Sequence, residues 1–217
     1  MSLPLEYLHR LPKIKSQKKP PLLLLIHGYG SNEADLFSFA DHLPDDFLVV
    51  SVRAPQTLGP QSYAWYSINF NDTKGNYSDV PEALNAKEKI MTFLESLKTV
   101  LPYDANNVTL LGFSQGTILS YGIALSNPEK IKNVVALSGY IKEDLISKPN
   151  DISLYKDLDF FISHGTQDQV IPIQWAEKAP AYLNALGISN SFRSYPAGHG
   201  VTPQNFDDLN QWLLTKL

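Results

Sequence analysis

Short apolar runs punctuate the chain at Leu22 to Ile26, Phe47 to Val52, Val108 to Leu111, Asn133 to Leu137, Asp159 to Ser163 and Ser191 to Tyr195. Their length and their unbroken apolar character predict strands buried on both faces. Between them lie longer stretches of helical period, which predict helices over Pro81 to Leu101, Gln115 to Leu125, Pro172 to Leu186 and Pro203 to Leu217. Pro81 and Pro203 fall in an opening turn, where a missing N–H costs nothing, and Asn127-Pro128 and Gly187 supply stops. Tyr7 to Leu11 is expected to add an antiparallel strand at one edge. Strands alternating with helices imply an α/β fold, with a mostly parallel central sheet and helices on both faces. Residues 1–217 read as one domain, without repeats or low-complexity linkers.

The stretch from Ala54 to Val80 breaks this rhythm. It is rich in Gly, Pro, Asn and Ser, and carries Tyr63, Trp65, Tyr66, Phe70 and Tyr77. A long irregular excursion with so many aromatics is expected to be ordered, as a substrate-facing loop in preference to an excursion merely packed on the body.

Composition narrows the function. Of 217 residues 43% are apolar and 18% charged, and the net charge of −4 offers no basic face for a nucleic acid. The basic stretch from Lys13 to Lys19 reads as a solvated loop. With no cysteine, a disulfide, a thiolate nucleophile and a thiolate metal site are all ruled out. Leu22 to Ile26 is too short to span a bilayer, so no stable membrane insertion is expected, and it lies too far in for a signal peptide. The sequons Asn71-Asp72-Thr73, Asn76-Tyr77-Ser78 and Asn107-Val108-Thr109 are read as chance matches.

The chemistry centres on Gly112-Phe113-Ser114-Gln115-Gly116. A Gly-x-Ser-x-Gly pattern alone says little, but here a strand leads in and a helix leads out, the context in which a strained turn presents a serine nucleophile. A serine hydroxyl needs a base. Of the histidines, His199 lies in Ala197-Gly198-His199-Gly200, after the last strand and before the last helix. His164 precedes the expected acid and fits the order serine, acid, histidine less well. Asp168, just past the strand ending near His164, is the expected partner of the base. Asp157 and Asp159 open that strand at the opposite edge, and Asp151 lies farther off. Oxyanion donors are expected from the backbone N–H of Gln115 and of Tyr29, in the turn His27-Gly28-Tyr29-Gly30-Ser31. His27 is expected to hold that turn.

Taken in order, Ile26-His27-Gly28-Tyr29-Gly30, Arg53-Ala54-Pro55, Ala64-Trp65-Tyr66, Gly112 to Gly116, Leu137-Ser138-Gly139, His164-Gly165-Thr166-Gln167-Asp168 and Gly198-His199 resemble the phospholipase/carboxylesterase family of α/β-hydrolases, which includes acyl-protein thioesterases and small bacterial carboxylesterases. The resemblance implies an α/β-hydrolase fold without a lid domain, and a cytoplasmic serine hydrolase of carboxyl esters or thioesters. It implies no metal and no organic cofactor. Expected substrates are small-molecule esters or thioesters, an acylated protein or a lysolipid, and many members form homodimers. Trp65 and Tyr66 would cradle the leaving group. Ile141, Leu145 and Ile146 either line an acyl groove or form helix core. The chain departs from the family at Tyr29, where leucine is frequent and where tyrosine narrows the acyl entrance, and at Ser67, where aspartate is common. Rival readings are a lysophospholipase, a peptidase of the same fold, for whose extra domain the chain has no room, and a non-catalytic binding protein.

Overall fold

The computed structural model describes residues 3–69 and 78–217. Phe70 and Tyr77, and the first two sequons apart from Ser78, lie outside the described residues. In chain order the elements are β1 (Tyr7–Arg10), β2 (Pro21–Ile26), α1 (Glu33–Phe37), β3 (Leu48–Val52), β4 (Gln56–Gly59), β5 (Ser62–Ala64), α2 (Val80–Leu97), β6 (Asp104–Phe113), α3 (Gln115–Ser126), β7 (Asn133–Leu137), β8 (Asp159–Gly165), α4 (Ile173–Ala176), α5 (Ala179–Ala185), β9 (Ser189–Tyr195) and α6 (Pro203–Leu214).

Among the described residues, seven strands form one sheet in the order β1-β3-β2-β6-β7-β8-β9. Only β1 runs antiparallel, pairing Tyr7 with Val52 and Arg10 with Val49 at the sheet's edge. Every other pairing in the sheet is parallel. The period of two along β2 divides the core. Leu22, Leu24 and Ile26 face the layer of α2 and α3, with Ile90, Phe93 and Leu119. Leu23 and Leu25 face the layer of α1 and α6, with Leu36, Leu209 and Leu213. Each leucine buried this fully contributes about 1.5–3 kcal/mol relative to an exposed one.

The helix ends follow their local chemistry. Asp79 caps α2 by accepting from the Glu82 amide at 2.9 Å, with Pro81 in the first turn. Thr202 caps α6 through the Asn205 amide at 3.2 Å, ahead of Pro203. The helix expected over Pro172 to Leu186 is two helices, α4 and α5. Pro180 has no N–H to donate to the Ala176 carbonyl, so the ladder stops there and restarts. The stretch after Ala54 also departs from expectation. It folds as the hairpin β4–β5, with Gln61 at φ 55° in its turn, in strands too short to show a period.

That hairpin is tied to the turn after β2. Gly30 N–H donates to the Tyr63 carbonyl at 2.9 Å, and Tyr63 N–H to the Ser31 carbonyl at 2.8 Å. The start of α1 is fixed by Glu33, whose carboxylate takes the Nε–H of Arg53 at 2.6 Å and a second bond from Nη2 of the same guanidinium. The guanidinium in turn lies 4.8 Å over the Tyr63 ring. The hydrogen bond from Arg53 holds the Glu33 carboxyl below its ordinary range. Together these bonds set the backbone of residues 27–33 against the rest of the sheet's upper edge.

Helix α3 is buried along every residue from Gln115 to Leu125. It sits directly on the sheet because Gly116 lacks a side chain: a Cβ there would lie 1.9 Å from the Ile26 carbonyl oxygen. The substitution Gly116→Ala is therefore expected to cost about 3 kcal/mol or more by overpacking against backbone. The urea midpoint of the variant measures this, and an unchanged midpoint would contradict the packing described.

Candidate active site

The C-terminal ends of β2, β6, β8 and β9 meet at one edge, and each delivers a loop to the same place. At the end of β6 the chain turns sharply into α3. Ser114 holds φ 54° and ψ −115°, a left-handed backbone costly for any residue but glycine. Gly112 and Gly116 let the turn close, since a Cβ on Gly112 would fall 2.6 Å from the Gly116 carbonyl. Thr117 Oγ1 lies 2.7 Å from the Gly112 carbonyl and 2.6 Å from that of Leu137, bracing the turn from within.

His199 lies between two partners. Its Nδ1 is 2.7 Å from Asp168 Oδ2 and its Nε2 is 3.0 Å from Ser114 Oγ. A carboxylate only accepts, so Nδ1 carries the proton and bare Nε2 faces the serine hydroxyl. The other carboxylate oxygen, Oδ1, accepts the amides of Val170 at 2.8 Å and Ile171 at 2.9 Å. Burial alone would raise the Asp168 pKa, but the bonds from His199, Ile171 and Val170 outweigh it and hold the carboxyl below its ordinary range. The Phe113 ring backs the imidazole, centroid to centroid at 5.0 Å. This arrangement can draw a proton from Ser114 and hold the resulting imidazolium against a fixed anion.

The loops carrying Asp168 and His199 are stitched together. Thr166 N–H donates to the Tyr195 carbonyl at 2.8 Å and Gln167 N–H to that of Ala197 at 2.9 Å. A Cβ at Gly165 would lie 2.2 Å from the Gly198 carbonyl oxygen, so only glycine permits this approach.

The turn after β2 is held from inside. His27 is fully buried, and its Nε2 accepts the Ala54 amide at 3.0 Å. Its Nδ1 therefore carries the proton and donates to the Gly28 carbonyl at 2.7 Å. Burial pushes the His27 pKa down and keeps the ring neutral.

Ser114 and His199 open onto a cleft of about 420 Å³, whose wall includes Tyr29, Tyr66, Ile118, Tyr140 and Trp175. Gln115 lines it too, next to Ser114. Beyond the Tyr140–Trp175 pair, whose rings meet edge-on at 5.0 Å, lies a second cleft of about 330 Å³ reaching Ile141, Lys178 and Tyr182. Tyr140 and Trp175 belong to both.

Sequence reasoning placed some wall residues wrongly. Trp65 is 1% exposed and lies behind the cleft, not on it. Its indole N–H donates to the His27 carbonyl at 2.9 Å and its backbone N–H to Gln115 Oε1 at 2.9 Å, making it a brace between the β2 turn and the serine turn. Leu145 is fully buried in the core against α3, so the helix-core alternative holds for it. Ile141 lines the second cleft only. Sequence reasoning missed the Gln115 side chain, which accepts from Trp65 and donates from Nε2 to the Tyr66 carbonyl at 2.8 Å. It also missed Tyr140 and Trp175. Nothing in the pattern separates these from ordinary core aromatics.

Among the described residues no group of three or more His, Cys, Asp or Glu could hold a metal ion, and no helix is long and apolar enough to cross a membrane.

A family model described as Phospholipase/Carboxylesterase matches residues 11–217. Acyl-protein thioesterase 1 of Kluyveromyces lactis is 27% identical over 215 residues, covering 92% of this chain and 93% of that one. The crystal structure of esterase PE8 superposes with a TM-score of 0.82 at 25% identity, over 98% of this chain and 99% of that one. The carboxylesterase of Bacillus cereus gives 0.83 at 20% identity, over 98% and 95%, and so shares the fold.

The depressed Asp168 pKa has a pH signature. A group held below its unfolded value adds stability that is complete above that value and lost as pH falls through the folded one. The stability difference between wild type and Asp168→Asn is therefore expected to be steady near neutrality and to shrink below about pH 4. Urea titrations across that range measure it, and a difference that grows on acidification would contradict the assignment.

Proposed function

This chain belongs to the phospholipase/carboxylesterase family, and from that premise we propose that it is a serine hydrolase cleaving carboxyl esters or thioesters through an acyl-enzyme. The observation that carries the reading is the continuous line Asp168–His199–Ser114, bonded at 2.7 and 3.0 Å and opening onto a cleft walled largely by aromatic and apolar side chains.

Ser114 Oγ attacks the substrate carbonyl while His199 Nε2 takes its proton, and Asp168 orients and stabilises the imidazolium. The tetrahedral oxyanion is received by the backbone amides of Gln115 and Tyr29. Gln115 is the first residue of α3, so its N–H has no partner within the helix and lies at the positive end of the helix dipole. Tyr29 shares the cleft wall with Ser114. His199 then protonates the leaving alcohol or thiol and activates water against the acyl-serine. Tyr66 forms part of the substrate wall. The site works on a small ester or thioester, or on the acyl group of a modified protein, and the family resemblance supports a cytoplasmic setting.

Replacement Ser114→Ala is expected to lower kcat on a chromogenic short-chain ester by about 10⁴–10⁶, and to abolish labelling of the folded protein by a fluorophosphonate. Wild-type turnover in that variant would sink the reading.

The Tyr140–Trp175 pair separates the catalytic cleft from the second one, and so limits the acyl chain. Trp175→Ala is expected to raise the kcat/KM ratio of a dodecanoyl over a butanoyl ester by about tenfold, within the 1–3 kcal/mol a pocket of this kind discriminates. A chain-length series measures the ratio, and an unchanged ratio would show that the pair sets no limit.

A further inference from the structure

The two amides assigned above to the oxyanion come from different turns, and strand pairing does not set the gap between them. The parallel ladder of β2 and β6 ends at the pair Ile26–Gly112. Tyr29 and Gln115 each lie three residues past that pair. Contact limits how closely the turns approach: a Cβ added at Gly28 would fall 3.3 Å from the Ser114 Cβ. Contact of that kind does not stop them parting.

What resists parting is the chain at the end of the β4–β5 hairpin. Trp65 follows β5 directly, is buried, and donates in two directions. Its indole N–H goes to the His27 carbonyl at 2.9 Å, on the β2 turn. Its backbone N–H goes to Gln115 Oε1 at 2.9 Å, on the serine turn. The Gln115 side chain is itself held, donating from Nε2 to the Tyr66 carbonyl at 2.8 Å. Two residues before Trp65, the Tyr63 carbonyl accepts the Gly30 N–H at 2.9 Å. The segment Tyr63 to Trp65 therefore grips the chain on both sides of Tyr29, at residues 27 and 30, and holds Gln115 as well. Packing alone would call for the indole ring, but not for donors aimed at both turns.

We propose that Trp65 is a positioning residue for hydrolysis, setting the spacing of the Tyr29 and Gln115 amides so that one oxygen reaches both. The proposal rests on the serine-hydrolase reading and on those two donors. It predicts a loss confined to the step in which the carbonyl oxygen gains charge, because a ground-state carbonyl draws on such donors less than an oxyanion does. The bonds along Asp168–His199–Ser114 are made without Trp65. Sulfur in place of the carbonyl oxygen separates positioning from a general disturbance of the site. Sulfur is a weak acceptor, so a thionoester draws little on the amides.

The readout is kcat on p-nitrophenyl butanoate against p-nitrophenyl thionobutanoate, in which C=S replaces C=O. Trp65→Phe removes the indole donor. Its kcat on the ester is expected to fall by about tenfold to a hundredfold, at or below the roughly 10²–10³ that follows loss of a whole oxyanion donor, with KM within about twofold of wild type. On the thionoester kcat falls by less than about threefold. The pH at which activity declines on the acid side stays that of wild type, since His199 keeps its bond to Asp168. If Trp65→Phe does not fold, β-(3-benzothienyl)alanine at position 65 keeps the size of the ring and places sulfur where the N–H stood, and the same pattern is expected. Wild-type ester turnover in the folded variant, or equal losses on ester and thionoester, would overturn the proposal. If the wild-type chain neither hydrolyses the ester nor labels with a fluorophosphonate, the hydrolase reading fails, and the proposal with it.

Discussion

The left-handed backbone of Ser114 is the constraint around which the upper edge of the sheet is arranged. A non-glycine residue at φ 54° carries a cost of order 1–3 kcal/mol, which the surroundings must outweigh. They do so by leaving the chain no alternative. β6 is the central strand, held between β2 and β7, and α3 begins one residue past the serine with every residue through Leu125 buried. The Ser114 amide is itself committed to the Leu137 carbonyl at 2.9 Å. Relaxing the serine would require moving either the strand or the helix, and both are core. The strain is thus a by-product of rigidity, and it leaves Oγ projecting above the sheet.

Around this fixed point the structure uses polar bonds as braces and leaves few of the relevant groups to chance. The Gln115 amide side chain connects the serine turn to Trp65 and Tyr66, and Trp65 connects onward to His27. The β4–β5 hairpin ties back to Gly30 and Ser31. Through these bonds the turn bearing Tyr29 and the turn bearing Ser114 are tied together. The same holds on the other side of the cleft, where the loops after β8 and β9 interlock at Gly165 and Gly198. Buried bonds of this kind add little net stability each, about 0.5–1.5 kcal/mol, but losing one partner leaves the other unsatisfied at greater cost. Their effect is to make the geometry hard to change piecemeal.

How much of this was legible in the sequence depends on the range of the signal. β2, β3 and β7 announce themselves because a strand buried on both faces can hold little but apolar residues, and α6 because Thr202-Pro203 marks its start. Ser114, Asp168 and His199 could be picked out because glycines crowd the turns and chain order restricts the choice. The α4–α5 break was in plain sight at Pro180, and a helical period read across it concealed the stop. Trp65 and Leu145 were harder. An aromatic in an irregular stretch reads the same whether it faces a substrate or a neighbouring carbonyl, and only the indole bond to His27 decides it. Tyr140 and Trp175 carried no signal at all, because one lies past β7 and the other on α4, past β8. Pairings of that kind are set by topology, and no local pattern encodes them.

These ranges of signal also divide chemistry from selectivity. Ser114 sits between a strand end and a buried helix, and Asp168 and His199 sit in interlocked loops, all beside glycines (Gly112, Gly116, Gly165) where an added Cβ would meet backbone at less than van der Waals distance. The residues that shape the cleft, Tyr29, Tyr66, Tyr140, Val170 and Trp175, sit in the β2 turn, past β5, past β7 and past β8. Tyr29 is 36% exposed and Val170 63% exposed, so a substitution at either trades contacts with solvent or substrate and leaves the core untouched. A fold built this way can keep its turns at the sheet's edge while its walls diverge. Selectivity, on the function proposed above, would therefore be read from the walls of the two clefts that share Tyr140 and Trp175 rather than from the line Asp168–His199–Ser114.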